Sequence, residues 1–222
     1  MALKLYSHPF SSYCQKVLIA LYENDIPFEY RMVKHDDPAI LAELEALWPY
    51  RRFPVLVDGD SVVRESTIIV EYLQQRHGGS SRLIPDDPQA ALEVRFMDRF
   101  FDNYIMTPQG KLVFDALRPA EQRNARDVED ARKMLDTSYR WLDARLEGRA
   151  WAAGNTFSLA DCAAAPFLFY ADWAYPIPAQ FTNVHALRRK LRAHPSFARA
   201  VEEARPYRHF FPLGAPDHDI DN

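Results

Sequence analysis

Ser11-Ser12-Tyr13-Cys14 lies where a short apolar strand pattern gives way to helical spacing. A helix N-terminus presents unpaired N–H groups and the positive end of the helix dipole, so an anionic sulfur held there is stabilised. A serine hydroxyl donating to that sulfur adds a hydrogen bond to the charged form, and it needs no His or Asp partner because it attacks nothing. The plain alternative is an ordinary N-cap serine. Phe53-Pro54-Val55-Leu56-Val57 is a second candidate, because proline cannot donate into a sheet ladder and suits a strand start or edge. A cis Phe53–Pro54 bond would turn the N–H and C=O of Phe53 outward to pair with an extended peptide; a trans proline opening a strand is the alternative. In Arg64-Glu65-Ser66-Thr67, Ser66 stands where an N-cap belongs and can hold a carboxylate, while Glu65 can meet an ammonium group. Alone, this too reads as a plain cap.

These residues need a scaffold that brings them together. Leu3–Tyr6 reads as a strand, Ser12 to about Glu23 as a helix, Pro27–Val33 as a strand and Ala39–Leu47 as a short helix. Pro54–Val57 and Ser61–Arg64 flank Asp58-Gly59-Asp60, a strong hairpin signal, and a helix carrying Ile69, Tyr72 and Leu73 follows. The order β-α-β-α-β-β-α is a compact α/β unit. Residues 1–80 are assigned to it and 81–88 to a linker bounded by Gly78-Gly79-Ser80-Ser81 and Pro85-Asp86-Asp87-Pro88. Residues 89–222 read as all-helical, with continuous helices expected over Gln89–Phe114 and Glu121–Leu146. Ser158-Leu159-Ala160-Asp161 is a capping box opening a buried apolar helix. Two shorter helices, Val184–Ala193 and Pro195–Glu203, precede a polar tail. In such a fold the three local features line one groove, and glutathione offers matching groups in sequence: γ-glutamyl terminus, cysteinyl backbone, thiol.

The bulk properties narrow the function classes. The 222 residues are 48% hydrophobic and 26% charged, with a formal net charge of −4, which gives no reason to expect nucleic acid or an anionic membrane as partner. Cys14 and Cys162, far apart in sequence, suggest a reducing compartment rather than a disulfide framework. With no signal-peptide pattern and no membrane-length apolar run, a cytoplasmic location is expected. The seven histidines show no metal-ligand spacing, so no metal is expected.

Along nearly its whole length the chain resembles the cytosolic glutathione transferases. Tyr6-Ser7-His8-Pro9-Phe10-Ser11-Ser12, Phe53-Pro54-Val55-Leu56, Glu65-Ser66 and Phe157-Ser158-Leu159-Ala160-Asp161 carry the likeness. It implies a thioredoxin-like N-terminal domain followed by an all-α helical bundle. It also implies glutathione as co-substrate, an electrophilic, largely apolar acceptor, and a homodimer. The implied glutathione-binding residues are Phe10, Arg52, Phe53, Pro54, Glu65 and Ser66, with Ser11 or Ser12 as the catalytic hydroxyl of a serine-type member. The pattern of the zeta isomerases would put cysteine at Tyr13, and its absence argues against that chemistry. Trp48-Pro49-Tyr50-Arg51-Arg52 departs from the family's Asn-Pro-x-Gly-Lys, leaving Arg52 to replace lysine toward the glycyl carboxylate.

Other residues carry weaker signals. Cys14 stands three positions after Ser11, as in a thioredoxin pair, which keeps a glutathione-dependent disulfide reductase open, although the residue also belongs to the apolar stripe with Val17, Leu18 and Leu21. A non-catalytic binding module on the same scaffold is a further alternative. Among Phe96, Phe100, Phe101 and Tyr104, the first two are expected in the core. Tyr104 or Asn103, with His8, are the candidates for an acceptor pocket. Arg188-Arg189-Lys190-Leu191-Arg192 reads as a solvated helix face.

Overall fold

The computed structural model describes residues 3–216. β1 (Leu3–Ser7), α1 (Ser12–Glu23), β2 (Phe28–Met32), α2 (Pro38–Leu47), β3 (Val55–Asp58), β4 (Ser61–Arg64) and α3 (Ser66–Arg76) follow in the expected order. They build a mixed sheet ordered β2-β1-β3-β4, with β1 parallel to β2 and antiparallel to β3. A parallel pair needs a crossover, which α1 supplies. β3 returns antiparallel as β4 through Gly59, whose φ of 58° suits a residue without Cβ. Strand side chains alternate between faces. Leu5 and Leu56 therefore pack with Val17, Leu18 and Ile69 of α1 and α3, while Tyr6 and Val55 face Ile40 and Leu44 of α2. This three-layer unit is thioredoxin-like.

Among the described residues, only helices, turns and one isolated bridge, Trp151 to Gly154, follow α3. The helices are α4 (Pro88–Phe100), α5 (Thr107–Ala116), α6 (Ala125–Arg145), α7 (Leu159–Ala174), α8 (Thr182–Ala193) and α9 (Pro195–Ala204). α7 is buried almost all round; Ala160, Ala163, Ala164 and Ala165 let α1 and α4 approach it closely. It thereby joins the two halves of the chain. Its N-terminus carries the expected capping box, the Ser158 N–H and hydroxyl donating to the Asp161 carboxylate at 3.0 and 3.1 Å.

Four expectations are corrected. The helix expected across Gln89–Phe114 is interrupted by a π-helical turn at Phe101–Met106. Pro108 has no N–H to give the Tyr104 carbonyl, and widening the preceding turn accommodates that loss; the Thr107 hydroxyl donates to the Asp102 carbonyl at 3.0 Å. Phe96 is 45% exposed rather than in the core, lying edge-on to Trp141 at 5.8 Å on the outer face of α4. Arg188 is buried and ion-paired with Asp172 at 3.0 Å, so the basic run of α8 is only partly a solvated face. The segment after α9 is not simply a polar tail: Arg205–Phe210 forms a 3-10 turn and Phe211 is buried. Residues 1–2 and 217–222, to which the assigned domain ends and the last of that tail belong, lie outside the described residues.

Candidate functional site

A cleft of about 1050 Å³ separates the two halves. Phe10, Ser11, Ser12, Arg52, Phe53, Pro54, Glu65 and Ser66 all line it. Sequence-distant residues meet here because the end of β1 lies beside the start of the antiparallel β3, with the start of α3 nearby.

Ser11 is the N-cap of α1, with extended φ −88° and ψ 121°, and its Oγ accepts from the Cys14 N–H at 3.4 Å. A hydroxyl has one hydrogen and two acceptor positions, so this leaves its hydrogen available to an anion in the cleft. Ser12 is differently placed: it is buried, and its hydroxyl donates to Met106 Sδ at 3.4 Å. The loop before α1 is pinned from behind, as the Gln15 amide donates to the Pro9 carbonyl at 2.9 Å and to the Tyr170 hydroxyl at 3.0 Å. Cys14 is fully buried, and burial pushes its thiol pKa up against the opposing influence of the Ser11 and Ser7 hydroxyls. It does not line the cleft.

On the opposite wall the Phe53–Pro54 bond is cis. The Arg64 guanidinium secures the preceding loop, donating from Nε and Nη2 to the Leu47 carbonyl at 3.0 and 2.6 Å and lying 5.2 Å from the Trp48 ring centre. Arg52 is exposed at the rim. At the floor, Glu65 adopts φ 68° and ψ 122°, a conformation L-residues rarely take and that costs on the order of 1–3 kcal/mol. Ser66, buried, then opens α3.

The helical wall brings residues the sequence did not single out. Asp102 accepts the Tyr13 hydroxyl at 2.7 Å, and burial, reinforced by that carboxylate, pushes the Tyr13 pKa up. Met106, Gln109, Val113 and Phe114 continue the wall, and Phe210 to Pro212 close it from the far end of the chain. The three acceptor candidates stand outside it. Tyr104 stacks on Phe100 with ring centres 5.6 Å apart, Asn103 is exposed, and His8 packs edge-on against Tyr207 at 4.7 Å. Burial pushes the His8 pKa down. From the π-turn it is Asp102 and Met106, not Asn103 and Tyr104, that line the cleft. Among the described residues, no group of three His, Cys, Asp or Glu side chains is arranged to hold a metal ion.

A thioredoxin-like unit joined through a buried helix to an all-helical unit, with a cleft between them, is a protein class in itself. Residues 5–81 match the family described as glutathione S-transferase, N-terminal domain, and residues 105–195 match glutathione S-transferase, C-terminal domain. Glutathione S-transferase U1 of Arabidopsis thaliana is 30% identical over 177 residues, 77% of this chain and 72% of the relative. GstB, a glutathione S-transferase of Escherichia coli K12, is 30% identical over 168 residues, covering 72% and 78% of the two chains. A glutathione S-transferase from Methylobacillus flagellatus, solved with glutathione bound, superposes with a TM-score of 0.80 at 27% identity over 90% of this chain and 98% of its own. The chain belongs to the glutathione S-transferase family of enzymes.

Proposed function

We propose that the protein transfers the thiolate of glutathione to an electrophilic carbon of an apolar small molecule, with Ser11 holding the thiolate. One observation carries this reading: the Ser11 hydroxyl, at the N-terminus of α1, opens into the same cleft as Phe53-Pro54 and Glu65-Ser66. Glu65 and Asp102 put negative charge near the N-terminus of α3, suiting a γ-glutamyl ammonium group, while Ser66 takes its carboxylate. Arg52 suits the glycyl carboxylate at the opposite rim. Met106, Val113, Phe114 and Phe210 offer apolar surface for the acceptor beyond the sulfur.

Titrating the protein with glutathione while following the ultraviolet absorbance of the thiolate tests the reading. A thiolate band near neutral pH is expected; binding without it would instead favour a non-catalytic module, and no binding would refute both. A disulfide reductase acting through Cys14 draws no support from a thiol that is fully buried and held protonated by its surroundings. Ser66→Ala is expected to weaken glutathione binding about tenfold, as removal of a hydrogen bond to a charged group does, while leaving kcat at saturating glutathione intact. An unchanged dissociation constant would contradict the assignment of Ser66.

A homodimer is part of the same reading. Leu92, Phe96 and Trp141 are 60, 45 and 39% exposed on α4 and α6, an apolar surface suited to a second copy. Sedimentation of the Phe96→Glu/Trp141→Glu variant should show monomers where the parent shows dimers. No helix among the described residues is long and apolar enough to cross a membrane, and we place the protein in the cytosol.

A further inference from the structure

Lys16 is a charged side chain with no exposure to solvent, set in α1 beneath the cleft. An unpaired ammonium there would carry a desolvation penalty of several kcal/mol. Asp98 of α4, itself fully buried, forms its ion pair. Burial pushes the Lys16 pKa down and Asp98 opposes that shift. Lys16 Nζ also donates to Thr67 Oγ1 at 2.7 Å. That hydroxyl accepts a second bond from Arg99 Nη2 at 3.0 Å and donates its own hydrogen to Asp98 Oδ2 at 2.9 Å, so its capacity is fully used. Arg99 continues to Asp102 at 2.7 Å, which holds Tyr13 at the cleft wall. Polar contacts thus tie α1, α3 and α4 together directly under Glu65-Ser66.

Thr67 is the residue after that pair, and Glu65 is held in a left-handed conformation that a free chain would abandon. Something must over-determine this turn: Arg64 anchors it on one side through the Leu47 carbonyl, and Thr67, its hydroxyl fully engaged, anchors it on the other. We propose that Lys16 is a positioning residue for glutathione: through Thr67 it fixes the Glu65–Ser66 turn in the geometry that grips the γ-glutamyl group, without lining the cleft itself. The proposal rests on the glutathione reading above and adds a buried group that this reading does not use.

Thr67→Val tests it, since valine keeps the shape and leaves the Lys16–Asp98 pair in place while cutting its tie to α3. Calorimetric titration with glutathione and with cysteinylglycine, which lacks the γ-glutamyl group, reads the effect. Glutathione should bind about tenfold more weakly, the loss expected for a hydrogen bond to a charged group. Cysteinylglycine binding should be unchanged, and so should kcat at saturating glutathione. Lys16→Met/Asp98→Leu, which replaces the pair by apolar groups and avoids a lone buried charge, should show the same selective loss. Unchanged glutathione affinity in either variant, or a parallel loss of both ligands, would overturn the role of Lys16. A parent protein that ignores glutathione altogether would instead overturn the underlying reading.

Discussion

Ser11→Ala is expected to lower kcat roughly 10-fold while leaving the glutathione dissociation constant nearly unchanged. On the proposed reading the thiolate gains from the hydroxyl bond and from the N-terminus of α1, together about one to two pKa units or about 1.4–2.7 kcal/mol. Alanine removes the first contribution and keeps much of the second. On the same reading glutathione is held mainly at its two ends, by Glu65-Ser66 and by Arg52, so affinity should survive. Accordingly the kcat–pH profile should move to higher pH by the hydroxyl's share of that gain, on the order of one unit. Ser12→Ala is the control: the Ser12 hydroxyl already donates to Met106 Sδ, so its loss should leave that profile in place. Full activity in Ser11→Ala together with a shifted profile in Ser12→Ala would exchange the two assignments. Stopped-flow measurement of bound thiolate against pH, run on both variants, decides between them.

What was legible in the sequence was local. Ser11, Pro54 and Ser66 each mark the start of a strand or of a helix, and short-range rules of capping and proline geometry single out such positions without knowledge of the rest of the chain. The capping box at Ser158 was readable for the same reason. The helical wall was not, because a period of 3.6 residues assigns faces only while the helix stays regular. A π-turn precedes Pro108, and the residues of it that line the cleft are Asp102 and Met106, not Asn103 and Tyr104. Phe210 to Pro212 reach the cleft from the far end of the chain, a placement no local pattern encodes. Lys16 was hidden for a related reason. α1 is covered on one side by the sheet and on the other by α7, so Ser12 and every residue from Cys14 to Leu21 is buried, and an amphipathic stripe no longer tells inside from outside.

Asp161 links that buried scaffold to a second large effect. Its carboxylate accepts the Ala152 N–H at 2.9 Å as well as the Ser158 N–H and hydroxyl, all shielded from water. Asp161→Ala strands these donors, each loss costing on the order of 1–3 kcal/mol, so a total of about 4 kcal/mol and a fall in Tm of about 10 °C are expected. Burial pushes the Asp161 pKa up to about 6, the three hydrogen bonds and Lys190 opposing it. The folded value therefore exceeds that of the unfolded chain, near 4. Folding favours the protonated acid, so this group stabilises fully below about pH 4 and its contribution is lost as pH rises through about 6. Asp161→Asn cannot titrate, and it sets an amide NH₂ against donors, so its deficit relative to the parent should be larger at pH 5 than at pH 7.5. Differential scanning calorimetry at both values measures this, with the other carboxylates common to the two proteins cancelling. A deficit that grows with pH would mean that the hydrogen bonds outweigh burial and that Asp161 works as a carboxylate. An Asp161→Ala protein of parental Tm would mean that α7 holds its place between the two halves without the cap.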